Sequence, residues 1–302
     1  MIQSNIEWDD YWRAVAAQDH DIDPTGTGAT APFFIETGPN PDKTNYVMDL
    51  GCGSGVLSHI LRSSNYLNSR FIGVDLSLDA AYMTVSKTRG IAVQADLSKL
   101  PVANNSIDWV VSQFALEYAP SQAWQEAARV VAPGGQLTVV AHAVCSLIHE
   151  EHERALSNFR ALDHLVDMAF TADERGAMQG ALDPNTLIRV RATLEAITER
   201  ETTGLAKPMI DAFLDCINSV LNHKEESSTN SRFLLTTWLA HYRLYRQRIE
   251  SMIAAALHPM EFMSIQQDLV SSGFTVETAG FLTVSSGAKL GFKLSARKGN
   301  TS

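Results

Sequence analysis

Between residues 46 and 143 short apolar runs alternate with helical patterns. Tyr46–Leu50 (YVMDL), Arg70–Asp75 (RFIGVD), Ile91–Ala95, Asp108–Gln113 (DWVVSQ) and Gln136–Ala143 (QLTVVAHA) read as strands. Val56–Ser64, Asp79–Thr88 and Gln122–Val131 read as helices between them, the last ended by Pro133-Gly134-Gly135. This alternation predicts βαβ units, and so a mostly parallel sheet with helices on both faces. From 146 to 257 the strand patterns stop. Leu156, Phe159, Leu162, Leu165, Val166 and Ala169 recur at helical spacing, as do Leu187, Val190, Leu194 and Ile197. Asp183-Pro184 has the form of an N-cap with proline at the first helical position. Met209, Phe213, Ile217, Val220 and Leu221 form another stripe, and Phe233–Leu257 reads as one long helix. A helix (Met260–Ser271) and two strands (Phe274–Thr278 and Lys289–Ala296) follow.

At the other end, Ile6–Ala17 is amphipathic, and Asp19–Thr30 (DHDIDPTGTGAT) reads as a loop. The expected organisation is therefore an N-terminal segment over 1–45, an α/β core over 46–145, an all-helical insertion between the fifth and sixth strands over 146–257, and a C-terminal helix and strand pair over 258–302 that complete the core sheet. A length of 302 residues suits one α/β domain enlarged by such an insertion.

Composition narrows the partners. There are 24 Lys and Arg against 34 Asp and Glu, a formal net charge of −10. An acidic chain lacks the electrostatic footprint that nucleic-acid backbones require, and is not drawn to anionic membranes, so neither partner is expected. No apolar run approaches the length of a transmembrane helix, and the N-terminus lacks the basic and apolar regions of a signal peptide. Cys52, Cys145 and Cys216 are too few and too scattered for a disulfide framework or a cysteine-rich zinc site, so a cytoplasmic location is expected.

The chemistry concentrates at Val47-Met48-Asp49-Leu50-Gly51-Cys52-Gly53-Ser54-Gly55. A strand delivers an acid, three glycines follow at alternate positions, and a helix begins. The glycines permit a tight turn and close approach of backbone to a ligand, and the helix N-terminus offers free N–H groups. A dinucleotide fingerprint would place its third glycine one position later. Asp49 faces a pyrophosphate badly and suits a ligand with a positive group. There is no phosphate-binding P-loop. Asp75 ends the second strand, where a carboxylate can accept both hydroxyls of a ribose. Asp96 follows the third strand, placed to accept from an exocyclic amine. Asp108 begins its strand, away from the carboxyl-end crevice, and reads as an ordinary strand-start acid.

Together, VMDLGCGSG, FIGVD, QADLSKLP, SIDWVVSQFALEY and RVVAPGGQLTVV resemble the class I S-adenosylmethionine-dependent methyltransferases, over about residues 46–145 plus the terminal strand pair ending LGFKLSARK. The resemblance implies a Rossmann-like seven-stranded sheet whose last strand is antiparallel, and S-adenosylmethionine as cofactor with S-adenosylhomocysteine as product. It implies that Gly51, Cys52, Gly53 and Gly55 line the methionine part, with Asp49 near its amino group. Asp75, with Leu76 beside it, would hold the ribose. Ala95, Asp96 and Leu97 would bind adenine, and Gln113 and Phe114 would close the site beneath the sulfonium. Because the sulfonium carries the activation, the protein's task is alignment and exclusion of water. The N-terminal segment is the expected lid, with Tyr11 and Trp12 over the cofactor and 23–30 as its moving part; docking of Trp8 and Trp12 onto the sheet is the plainer alternative.

An acceptor must reach the carboxyl ends of the fourth and fifth strands, where Glu117, Tyr118, His142 and Cys145 stand. His142 is the candidate general base, since imidazole ordinarily titrates near neutrality. Glu117 and Tyr118 are candidates to orient a polar substrate. His149, His152 and Glu153 are better read as a helix surface than as metal ligands, and no metal is expected. Tyr242, Arg243, Tyr245, Arg246 and Arg248 (HYRLYRQR) read as a helix face or a grip for an anion. The helical insertion is expected to supply a substrate pocket or a homo-oligomer interface. The leading functional expectation is methyl transfer to a small molecule (an amino acid, thiol, amine or hydroxylated metabolite). A protein or RNA methyltransferase, and a cofactor-binding protein or regulatory subunit without transfer, are the alternatives.

Overall fold

The computed structural model describes residues 8, 12, 27–169, 184–200, 207–222 and 228–300. The chain divides into two compact units, Met1–Ile148 with Ala255–Ser302, and His149–Ala254.

The first unit is built on β1 (Tyr46–Leu50), β2 (Arg70–Asp75), β3 (Ile91–Gln94), β4 (Ile107–Gln113), β5 (Val131–Ala141), β6 (Phe274–Thr283) and β7 (Lys289–Lys298). They form one seven-stranded sheet in the order β3-β2-β1-β4-β5-β7-β6. Strands β1 to β5 are parallel, and β7 runs antiparallel to both β5 and β6. The strand order reverses between β1 and β4, which opens a crevice at their carboxyl ends, the usual ligand position in open α/β sheets.

The continuous apolar strands are explained by burial on both faces. Met48, Leu50, Val110, Leu137 and Val139 face one core, shared with Trp124 of α4 (Gln122–Val130) and Phe262 and Leu269 of α9 (Pro259–Ser271). Val47, Phe71, Trp109, Val111 and Val140 face the other, with Leu57 and Leu61 of α2 (Val56–Ser64) and Phe33 and Phe34 of α1 (Thr27–Thr37). Helix α3 (Leu78–Thr88) is N-capped by Ser77, whose hydroxyl accepts from the Ala80 N–H. Asp108, at the start of β4, accepts from the N–H groups of Asn45 and Tyr46. It is thus structural, as its position in the sequence suggested.

Three boundaries differ from expectation. Residues 27–30 belong to α1 rather than to a loop: the Gly- and Thr-rich composition resists a helix, but burial of Ala31, Phe33 and Phe34 outweighs it. Strand β5 begins at Val131 instead of Gln136, because Val131 pairs beside Ile107 across a register shift that takes up Pro133-Gly134-Gly135. Strand β6 extends to Thr283, its exposed alternate positions held by pairing to β7.

The second unit holds most of α5 (Leu147–Ala169) together with α6 (Pro184–Arg200), α7 (Lys207–Asn222) and most of α8 (Ser228–Ala255). Its core joins Phe159, Leu194, Phe213, Ile217, Trp238 and Tyr242. The rings of Phe213 and Trp238 stack at 3.6 Å. Among the described residues, all regular elements between β5 and β6 are helices. Also among the described residues, no helix is long and apolar enough to cross a membrane.

Candidate functional site

The site grows from the β1–α2 turn. Gly51 and Gly53 have φ of 68° and 50°, a region side chains rarely adopt. Space enforces the same choice: a Cβ on Gly51 would lie 2.2 Å from Cβ of Ala115, and one on Gly53 would lie 2.6 Å from the indole of Trp12. The loop therefore passes directly against the segment after β4 on one side and carries Trp12 on the other. Gly55 caps α2 without a side-chain hydrogen bond of its own, and in the first turn the Ser58 backbone is engaged by Asp49.

Two carboxylates anchor this loop. Asp75 Oδ2 accepts from the Gly53 N–H and Oδ1 from the Ser77 N–H, both at 2.9 Å. Asp49 is 2 % exposed, and its Oδ2 accepts from the Ser58 hydroxyl at 2.6 Å. Burial raises its carboxyl from an ordinary 3.8 to about 6; the Ser58 hydrogen bond opposes this and the charge of Asp75 adds to it. A buried acid paired with a hydroxyl, and next to another acid, is suited to a cationic ligand group. Cys52 is different. Its sulfur lies against Gly73, and burial with the two acid charges pushes its thiol upward, so it is an inert packing group and offers only backbone to a ligand.

At β2 and β3 the half-buried Leu76 accepts from Gln94 through its carbonyl. Ala95 N–H donates to the Asp75 carbonyl. Asp96 is exposed, with Oδ1 turned back onto the N–H and hydroxyl of Ser98, while Leu97 is buried and approaches Gly51. From β4, Gln113 accepts from the hydroxyl of Thr30, tying α1 to the carboxyl end of the sheet. Phe114 follows with φ of 52°, and Phe114 N–H donates to Val140.

Beyond Phe114 the short turn Leu116–Tyr118 brings Glu117 beneath the end of β5. Its side chain is wholly buried, and Oε1 lies 2.7 Å from Nδ1 of His142 and accepts from the His142 backbone N–H at 2.8 Å. The His142 ring sits 4.3 Å from Phe114 and edge-on to Tyr118 at 5.7 Å, and Trp8 meets Tyr118 edge-on at 5.7 Å. The structure thus gathers Asp49, the three glycines, Asp75, Leu97, Gln113, Phe114, Glu117, Tyr118, His142 and Trp12 around one crevice. The direct Glu117–His142 contact was not apparent from residues 25 positions apart. Tyr11, and the proposed mobile stretch 23–26, lie outside the described residues.

Tyr242 is a core residue of the helical unit, its hydroxyl 2.7 Å from Asp163, and Arg246 pairs with Asp163 and Glu250, so these members of HYRLYRQR are spent within the unit. Among the described residues, no three His, Cys, Asp or Glu side chains gather as a metal site would need.

Residues 48–139 match the family model described as a methyltransferase domain. Among curated proteins, a malonyl-[acyl-carrier protein] O-methyltransferase of Hahella chejuensis is 31% identical over 148 residues, 45% of this chain and 53% of the relative. One of the same description from Alcanivorax borkumensis is 27% identical over 188 residues, 58% of this chain and 63% of the relative. The matched part thus spans between half and two thirds of these relatives' length. A chain from the complex of the Haloferax volcanii Trm112 methyltransferase activator with a methyltransferase shares the fold: TM-score 0.50 and 13% identity over 97% of this chain and 98% of that one.

Proposed function

We propose that this chain, whose residues 48–139 match a methyltransferase domain, is a class I S-adenosylmethionine-dependent enzyme that transfers a methyl group to a small-molecule acceptor. The observation that carries the reading is the pair of buried carboxylates, Asp49 and Asp75, at the carboxyl ends of β1 and β2 around a glycine loop that no side chain can occupy. S-adenosylmethionine brings a sulfonium and an ammonium, both positive, on a compact chain that needs close backbone approach.

When bound, the cofactor supplies an activated methyl group; the chain's residues bind, orient and keep water out. Asp49 lies under the turn, where a cationic amine relieves its buried charge. Asp75 holds the loop through Gly53 and Ser77, and a carboxylate oxygen accepts more than one hydrogen bond, which is compatible with a ribose role. Leu97 and Ala95 offer an apolar wall and backbone for adenine, with Asp96 exposed beside them. Phe114 and Gln113 close the floor, and Trp12 on Gly53 with α1 tied to Gln113 provides cover from the N-terminal segment. His142, Glu117 and Tyr118 are the groups on the acceptor side.

A second reading has the relatives' names in its favour: the acceptor is a malonyl group on an acyl-carrier protein. One experiment addresses both. S-adenosylhomocysteine at millimolar concentration should raise the melting temperature; no rise removes the cofactor reading. Labelled-methyl transfer from S-adenosylmethionine into separate metabolite, carrier-protein, protein and RNA pools then separates the acceptors. Label in the metabolite pool is the expected result, and label in a macromolecular pool overturns the small-molecule proposal.

A further inference from the structure

The acceptor side of the site holds an unbalanced carboxylate. Glu117 Oε1 has two partners on His142, the backbone N–H and Nδ1, whereas Oε2 is buried and has no hydrogen-bond partner among the described residues. A buried carboxylate oxygen left bare is costly, and structures retain one where a ligand completes it. An ionised carboxylate can only accept, so the 2.7 Å contact requires the proton of the imidazole to sit on Nδ1. That leaves Nε2 with the lone pair, and Nε2 has no partner among the described residues. The ring is clamped between Phe114 and Tyr118. Glu117 follows two residues after Ala115, which abuts Gly51, so the pair stands beside the cofactor loop.

We infer that Glu117 and His142 act as a dyad on the methyl acceptor, and that the acceptor is a neutral protic group, a hydroxyl or amine with a second O–H or N–H beside it, and not a carboxylate. The inference rests on the methyl-transfer reading above. His142 Nε2 takes the proton of the reacting O–H or N–H. The acceptor's lone pair forms the new bond to the methyl carbon while the carbon–sulfur bond breaks, and its electrons go to sulfur, leaving a thioether. Glu117 is the positioning residue: it fixes the tautomer, and its charge offsets the imidazolium that forms, the role an acid plays beside histidine in hydrolytic triads. Oε2 accepts from the acceptor's second donor. No oxidant or further reactant is required.

A carboxylate acceptor fits none of this. It is already ionised at neutral pH and needs no base, and it would be brought against a buried carboxylate with no cation on it. The free group of a malonyl thioester is such an acceptor, so the dyad separates this chain from the substrate in its relatives' names.

The test uses the full chain labelled with 15N-histidine, with S-adenosylhomocysteine bound. In the wild type the neutral His142 ring should show Nδ1 protonated and Nε2 unprotonated, and Glu117→Ala should lose that preference, while Glu117→Gln leaves affinity for S-adenosylhomocysteine within twofold by calorimetry. A neutral wild-type ring protonated on Nε2, or a tautomer preference unchanged in Glu117→Ala, overturns the dyad. Loss of S-adenosylhomocysteine affinity in Glu117→Gln would assign Oε2 to the cofactor and overturn the acceptor subsite. Failure of the wild type to bind S-adenosylhomocysteine sinks the methyl-transfer reading instead, so the two failures are distinct. In parallel, labelled S-adenosylmethionine is offered with catechol, with ethanolamine and with a malonyl thioester of N-acetylcysteamine. Label in catechol or ethanolamine, falling at least tenfold in His142→Asn, supports the acceptor class; label in the malonyl thioester overturns it.

Discussion

Replacing Asp49 with asparagine removes the charge of a buried acid while keeping an oxygen for the Ser58 hydroxyl. The consequence depends on pH in a definite direction. In the unfolded chain this carboxyl releases its proton near 3.8, and in the fold near 6. Between those values the native state holds a proton the unfolded state has lost, so stability falls as pH rises through the window and the penalty is constant above it. The gap from 3.8 to about 6 corresponds to about 3 kcal/mol at neutral pH for a group only 2 % exposed. Asp49→Asn should therefore gain on the wild type from pH 4 to pH 6 by up to about 3 kcal/mol, read as the difference between two urea-denaturation curves at each pH. A fixed offset from the new amide N–H groups does not affect that slope. The ligand reverses the balance. If the ionised acid meets the cofactor's ammonium, about a tenth of wild-type molecules are competent at pH 5, and S-adenosylhomocysteine binds about tenfold more weakly there than at pH 7. Asp49→Asn should bind weakly at both. A stability difference flat with pH would refute the burial argument, and a pH-independent affinity would refute the ammonium contact.

Other expectations follow from single contacts. Asp75→Ala strips the partners from the Gly53 and Ser77 N–H groups, each a charge-assisted bond worth about 1.5–3 kcal/mol, and calorimetry should show cofactor affinity down at least tenfold. Gly55→Ala places a Cβ 2.6 Å from the Thr84 backbone at φ of 73°, and should cost more than about 2 kcal/mol in denaturant titration; an unchanged midpoint would mean α2 and α3 shift apart freely. In the helical unit, Trp238→Ala empties a stack between Phe213 and Tyr242, with an expected loss of about 3–5 kcal/mol seen in chemical denaturation.

The fold was legible where burial is two-sided. Strands such as Tyr46–Leu50 and Asp108–Gln113 carry apolar residues at successive positions because helices cover both faces, so their edges fall within a residue of the pattern. The pattern misled where another force decides. Helix α1 is poor in helix formers and contains Pro32, but Phe34 and Ala31 drive it into the core. Strand β5 starts before a Pro-Gly-Gly stretch because its register against β4 shifts there. The far half of β6 is half-exposed and held by pairing to β7 and by contacts such as Phe281 with Phe292 and Lys289, neither of which leaves a local signature.

The site divides along the same line. The proposed cofactor half follows a local grammar: Asp49 and the glycines are conditions on one strand-to-helix turn, and Asp75 ends the next strand, which pairs beside it. The acceptor half does not. Glu117 looks like the first acid of a short turn, and its role appears only when β5 sets His142 above it. Phe114 and Leu116, both buried, lead the chain out of β4 into the short turn, and there Glu117 is held inward with one oxygen satisfied and one bare. A random surface acid in that turn would have faced water at no cost. That this one is buried beside a histidine and left half-satisfied is why acceptor chemistry, unlike cofactor chemistry, has to be read from the packing of β4 against β5 and not from a motif.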